Sequence, residues 1–170
     1  APDCKSDQPG STPGRASSLF CRHDQATTMA APSHIDPVLI RAYRETEYRV
    51  LGATAMVLRP DIYSPGLSML HLAHAVDCSA FITAYNARSQ STDSVINHAQ
   101  QARLAGDLAA RGLSTIDAIG VHPSGRWPGE PSLLVPGLML EDARCVAAQF
   151  DQNAIVWSGA DAIPRLILLR

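Results

Sequence analysis

Ser79-Ala-Phe-Ile-Thr-Ala-Tyr-Asn86 is the stretch that decides the fold. Its apolar run, 80–85, predicts a buried strand. A long amphipathic helix follows, with Thr92 or Asp93 as its predicted N-cap and Gly112 as its predicted C′ residue. Ligands of α/β proteins sit at the carboxyl ends of strands. The segment therefore indicates where a site lies, but no complete catalytic, nucleotide-binding or metal-binding motif accompanies it.

Strand and helix patterns alternate through the rest of the chain, and short turns join at least two pairs of strands. This arrangement favours a mixed sheet over a purely parallel one. We predict an α/β or α+β fold: a single domain whose mixed sheet of about five to seven strands carries three or four helices. The predicted elements are a helix over 35–43 capped by Ser33, a hairpin over 48–58, a helix over 67–76, strands over 116–121 and 132–135, a helix over 141–150, and strands over 154–157 and 166–169.

Composition excludes several classes of protein. The 170 residues are 46% hydrophobic and 18% charged, which is typical of a globular domain. The net charge of −2 provides no basic field for nucleic acid, and no apolar run is long enough to span a bilayer. None of the four cysteines forms a C-x-x-C pair, and Cys78 and Cys145 lie in apolar surroundings typical of reduced cytosolic cysteines. We therefore predict a cytoplasmic protein with no nucleic-acid or membrane partner.

Residues 1–33 differ in kind from the rest. They are rich in Pro, Gly, Ser and Thr, and Leu19 and Phe20 are their only large apolar residues before Met29. Such a segment buries too little surface to offset its ordering entropy, so we predict a disordered tail before a single globular domain over 34–170. Met29 resembles a translation start, which would make 1–28 upstream or cloning-derived sequence. The alternative is a natural disordered arm.

Several short motifs, in order along the chain, resemble the bacterial family DUF3293. The similarity covers roughly 36–170, and it implies a small bacterial domain of unassigned function with no catalytic residues to carry over. The motifs are Phe81-Ile-Thr-Ala-Tyr-Asn86, the helix with Asn97, Gln101, Leu104 and Leu108, Trp127-Pro-Gly-Glu-Pro-Ser-Leu-Leu-Val135, and Phe150-Asp-Gln-Asn-Ala-Ile-Val-Trp157.

Two positions depart from the family pattern. Members usually have Trp-Asn-Pro where this chain has Tyr85-Asn86-Ala87, and Gly where it has Asp151. Losing the proline loosens the loop after Asn86. An aspartate in place of glycine indicates either a left-handed backbone, which Asp tolerates, or a shifted helix end.

Two amides interrupt the buried face of the long helix. Asn97 and Gln101 share a helical stripe with Leu104 and Leu108, close to the end of strand 80–85. A buried amide without partners costs about 1–3 kcal/mol, so both side chains must bond something. They bind either a ligand or loop backbone around 87–91, and buried amides more often do the latter.

Glu130 stands between two prolines, directly before a predicted strand. Its carboxylate could bind a ligand or act as a general acid or base. The structural alternative is an ion pair with Arg126 or hydrogen bonds from backbone donors. No second carboxylate has a reason to lie beside it, so glycosidase-type pairing is not predicted.

Other patterns are weaker. His71, His74 and Cys78 lie within two helical turns, but the face also carries leucines and lacks the glutamate of H-E-x-x-H, so we predict no metal site. Ser68 follows Gly66 without the second glycine of a nucleophile elbow. We predict no cofactor.

Two functions are favoured over a third, a purely structural partner-binding domain, which would have an exposed apolar patch and no cavity at this position. The first is a small-ligand binding or regulatory module whose amide-rich polar site binds a small polar molecule. The second is a small hydrolase or transferase that uses Glu130 as general acid or base. Both functions require Glu130 and Gln152 to lie close to Asn86 at the carboxyl end of strand 80–85. This happens only if the strands that follow Glu130 and Gln152 run antiparallel to strand 80–85. The predicted site residues are Asn86, Asn97, Gln101, Glu130 and Gln152. The oligomeric state is left open.

Overall fold

The computed structural model describes residues 35–125 and 127–170. They form four α-helices and seven strands, with short turns at Gly52–Thr54 and Ala87–Ser89. In chain order the elements are α1 (Pro37–Glu45), β1 (Glu47–Val50), β2 (Met56–Leu58), α2 (Pro65–His74), β3 (Ser79–Ile82), α3 (Ser94–Ala110), β4 (Ile116–Val121), β5 (Glu130–Pro136), α4 (Leu140–Gln149), β6 (Ala154–Ser158) and β7 (Arg165–Leu168).

One sheet contains all seven strands, in the order β2-β1-β4-β5-β3-β6-β7. The single α+β domain predicted from the sequence is confirmed, but the sheet is antiparallel at every pairing rather than mixed. β3 is an interior strand of the sheet, and its neighbours β5 and β6 both run opposite to it. The starts of β5 and β6 therefore lie at the edge of the sheet where β3 ends.

Helices cover both faces of the sheet. Neighbouring residues of a strand point to opposite faces, and Ile82 and Phe81 accordingly belong to different cores. The Ile82 face packs against α3 and α4, and Leu104 of α3 is fully buried there. The Phe81 face packs against α2 through Leu67 and Leu70. α1 contributes no fully buried residue.

Local signals set the boundaries of the long helix α3. Asp93 is its N-cap, and the Asp93 carboxylate accepts from the Val95 amide at 2.8 Å. Gly112 follows the helix with φ +74°, a conformation that favours glycine. α1 begins differently from the prediction: Asp36 caps it and Pro37 occupies the first turn. The predicted cap, Ser33, lies outside the described residues.

Side chains shorten the predicted strand 80–85. β3 ends at Ile82, because the next backbone amides bond to side chains rather than to a neighbouring strand. Gln101 Oε1 accepts from the Ala84 amide at 2.8 Å, and Thr83 Oγ1 accepts from the Tyr85 amide at 3.0 Å. β5 begins at Glu130, two residues earlier than predicted, so Glu130 belongs to the sheet.

The predicted tail 1–33 and the proposed start Met29 lie outside the described residues and stay predictions. Within the described part, no helix combines the length and apolar character that crossing a membrane requires.

Cys78 is a buried free thiol. Cys145 is half-buried and disulfide-bonded, so the expectation of two reduced, buried cysteines holds for Cys78 alone.

Candidate functional site

A cavity of about 300 Å³ opens on the Phe81 face of the sheet, where β3 ends. α1 forms one wall, and its Tyr43 carbonyl accepts a 2.8 Å hydrogen bond from the Tyr48 hydroxyl of β1. The loops after β3, β4 and α4 close the other sides. The polar and aromatic lining includes Tyr43, Tyr48, Phe81, Thr83, Asn86, Ser89, His122, Trp127, Glu130, Ser132, Gln152 and Asn153.

Glu130 carries the only carboxylate among the described lining residues. β5 runs antiparallel to β3, which places Glu130 beside the loop after β3, and Asn86 Nδ2 donates to Glu130 Oε1 at 2.6 Å. Burial raises the pKa of the Glu130 carboxyl, and the Asn86 hydrogen bond opposes part of that rise. Within residues 35–125 and 127–170, no cation lies within 4 Å of this carboxylate. The predicted partner Arg126 lies outside the described residues.

Asn86 and Asn97 hold the loop after β3 through reciprocal amide contacts. Asn97 Oδ1 accepts from the Asn86 backbone amide, and Asn97 Nδ2 donates to Asn86 Oδ1, both at 2.9 Å. Both side chains also bond the backbone of Thr92, through its amide and its carbonyl. Asn86 itself adopts φ +47°, a left-handed conformation that Asn tolerates. Asn97 is buried behind the loop and does not line the cavity.

Gln101 also bonds backbone rather than facing the cavity. Its Oε1 accepts from Ala84, while its Nε2 is buried without a hydrogen-bond partner in the described structure. The contacts of Asn97 and Gln101 are those of the structural alternative set out for the two amides.

Gln152 reaches the cavity through the turn after α4. Asp151 adopts φ +53°, so the substitution of Asp for the usual Gly coincides with a left-handed backbone, one of the two predicted outcomes. The turn brings Gln152 to the end of β3, where Gln152 Nε2 donates to the Tyr85 carbonyl at 3.0 Å and to the Phe150 carbonyl at 3.3 Å. Of the predicted residues, Asn86, Glu130 and Gln152 line one cavity, and Asn97 and Gln101 lie outside it.

Several lining residues were missed by sequence reasoning. Asn153 Nδ2 lies 3.2 Å from the Tyr43 hydroxyl and 3.3 Å from Ser89 Oγ, and the two hydroxyls bond each other. Asn153 adjoins the predicted Gln152, which was the only signal for it. The contact spans 110 residues, so no local pattern shows it.

Aromatic rings enclose the cavity further. Tyr48 meets Phe81 edge to face with ring centroids 5.1 Å apart. Burial, followed by the nearby Tyr43 and Glu130, raises the pKa of the Tyr48 hydroxyl, which therefore stays neutral. His122 meets Trp127 edge to face at 4.7 Å, and its Nε2 lies 3.5 Å from the Glu45 carboxylate.

No described lining residue is a lysine or arginine. Nor does the described part hold a cluster of three metal-ligand side chains.

We expect Glu130→Gln to stabilise the protein at neutral pH. Glutamine is isosteric and can still accept from Asn86, but it removes a partly buried charge. Because the carboxyl pKa is raised in the folded state, the wild type loses stability as pH rises from the unfolded pKa through the folded one. The variant lacks this loss.

Urea unfolding from acid to neutral pH tests this expectation. The two proteins should have similar free energies of unfolding in acid and diverge in favour of the variant as pH rises. A variant that is less stable at neutral pH would show that a cation neutralises Glu130.

A family model described as "Protein of unknown function (DUF3293)" matches residues 82–155. The span runs from the end of β3 into β6 and contains all five predicted site residues, and the matched family is the one that the sequence motifs resemble. No curated protein and no solved structure matches the chain.

Proposed function

We propose that this protein is a small-molecule binding module whose ligand occupies the cavity beside Glu130. The DUF3293 family that it matches has no assigned function. One observation supports this proposal above the others. A partly buried carboxylate faces a cavity of about 300 Å³, and no described residue supplies a cation to neutralise it. Burying an uncompensated charge destabilises a fold, so a purely structural carboxylate would be paired.

The surroundings of Glu130 suit recognition. The cavity is at the small end of the range for ligand sites, where aromatic walls and a few fixed polar groups are usual. Asn97 fixes Asn86, and Asn86 in turn holds one oxygen of Glu130. The carboxylate is therefore oriented before a ligand arrives, which lowers the entropy cost of binding. The predicted amide-rich site thus divides into Asn86 and Gln152 at the cavity and Asn97 behind it.

A second candidate is catalysis with Glu130 as general acid or base. The raised pKa of its carboxyl favours this role, since a general acid or base works best with a pKa near the working pH. The described lining offers hydroxyls and His122 but no second carboxylate. His122 Nδ1 bonds Ser124 Oγ at 2.8 Å and its Nε2 lies 3.5 Å from the Glu45 carboxylate, but neither Ser124 nor Glu45 lines the cavity. We therefore place binding first. The cytoplasmic location and the absence of nucleic-acid partners stay predictions.

A cavity-filling variant tests the proposal. Gly120 lines the cavity, and a Cβ there would meet only Thr46 Cγ2, at 3.7 Å. Gly120→Val should fold normally, because Val suits a strand, while occupying ligand space. Gly106→Ala is the control, since a Cβ there meets nothing within 4 Å. In a thermal-shift screen of small polar metabolites, hits on the wild type and on Gly106→Ala should be lost in Gly120→Val.

The outcomes separate the two candidates. Hits that persist in a folded Gly120→Val would place binding elsewhere and contradict the proposal. A hit recovered unchanged after incubation supports binding. A hit that the wild type converts and Glu130→Gln does not would establish the second candidate.

A further inference from the structure

We propose that the ligand carries a hydrogen-bond-donating nitrogen cation, a primary ammonium or a guanidinium, which binds the second carboxylate oxygen of Glu130 and the amide oxygen of Gln152. This inference rests on the proposed function and names the class of its ligand. It follows from three properties of the cavity: its unused hydrogen-bond acceptors, its charge and its aromatic walls.

Two side-chain oxygens of the cavity accept no hydrogen bond from a described residue. Asn86 occupies Glu130 Oε1, and no described residue donates to Oε2. Gln152 Nε2 donates to two backbone carbonyls, which fixes the orientation of the amide and leaves Oε1 without a donor in the described structure. The buried polar atoms that lack a hydrogen-bond partner in the described residues do not include Glu130 Oε2 or Gln152 Oε1. Both oxygens therefore keep some exposed surface. A complementary ligand must therefore donate hydrogen bonds.

The charge of the cavity selects a cation among such donors. Glu130 is the only acid among the described lining residues, and none of them is lysine or arginine. A phosphate or carboxylate ligand would meet repulsion from Glu130 and would find no lysine or arginine among the described lining residues. A neutral alcohol could donate to Oε2 but would leave the negative charge of the partly buried carboxylate uncompensated. An ammonium or guanidinium supplies both the donor and the charge.

The walls suit the rest of such a ligand. Phe81 and Tyr48 pack edge to face beneath the cavity, and Trp127 lines it with about half of its surface exposed. Aromatic faces attract cations and cover alkyl groups. The Tyr43 and Tyr48 hydroxyls are already engaged with Ser89 and with the Tyr43 carbonyl.

Simple probes test this class. Amide NMR spectra of the wild type would be recorded during titration with n-butylammonium chloride, sodium butyrate, n-butanol and tetramethylammonium chloride at matched ionic strength. The signals to follow are the side-chain amides of Asn86 and Gln152 and the Trp127 indole. Butylammonium should shift them saturably. The other three probes lack either the charge or the N–H donors, and they should bind about tenfold more weakly or worse.

Two charge variants complete the experiment. Glu130→Gln should weaken butylammonium binding by about tenfold or more, since it removes the anchoring charge. Glu141→Gln makes the same change on a carboxylate that is 77% exposed, and it should leave the affinity unchanged. Equal affinities for butylammonium and butanol, or an unaffected Glu130→Gln, would overturn the inference. So would the absence of any probe-induced shift. The proposed function would survive each of these results if the metabolite hits remain sensitive to Gly120→Val.

Discussion

Leu108→Ala should lower the free energy of unfolding by about 2–5 kcal/mol, the range for truncation of a buried leucine. Leu108 has no exposed surface, and it lies in the core that α3 and α4 form against the sheet. Ile82, Val135 and Val146 belong to the same core, so the lost methyl groups would leave a cavity among strand and helix residues. Urea unfolding monitored by circular dichroism measures the change.

Leu72→Ala is the matched control for this truncation. Leu72 also belongs to a helix, but 84% of its surface is exposed, so the same chemical change should cost little. Arg111→Ala, at an exposed position just after α3, should likewise have a small effect. Similar losses for Leu108→Ala and Leu72→Ala would mean that α3 does not bury the face described.

Local patterns predicted most of the elements. The spacing of Leu104 and Leu108, the Asp93 cap and Gly112 together define α3, and all of these signals lie within about twenty residues of each other. Strand pairing is a different problem. The position of β3 between β5 and β6 depends on contacts between distant parts of the chain. Local patterns do not show these contacts, and the predicted sheet was therefore mixed whereas the observed one is antiparallel.

The candidate site shows the same division. The apolar run 80–85 placed Asn86 just after β3, and the antiparallel neighbours then brought Glu130 and Gln152 to it, as the geometric condition required. Helical spacing placed Asn97 on the inner face of α3, but the spacing could not say whether its amide faces a cavity or backbone. Tyr43 was missed because α1 is far along the chain from most of the other lining residues, and no local pattern shows that it packs beside them.

Asn97→Ala should destabilise the protein by about 2–4 kcal/mol, because it leaves two partly buried backbone groups without their partner. The Asn86 amide and the Thr92 carbonyl both bond the Asn97 side chain, which is only 6% exposed. Gln100→Ala is the control: it removes an amide from the same helix, and that amide makes no hydrogen bond to the described residues. Urea unfolding of both variants gives the comparison.

The same substitution should also weaken ligand binding. Asn97 fixes Asn86, and Asn86 orients the Glu130 carboxylate, so a loop released from Asn97 no longer presents that carboxylate in one position. Asn97 does not line the cavity, and its effect on butylammonium affinity must therefore act through Asn86. If Asn97→Ala costs less than about 1 kcal/mol, solvent replaces the lost hydrogen bonds and the loop does not depend on the amide pair. If stability falls but the affinity of the folded variant is unchanged, Glu130 is oriented without help from Asn97.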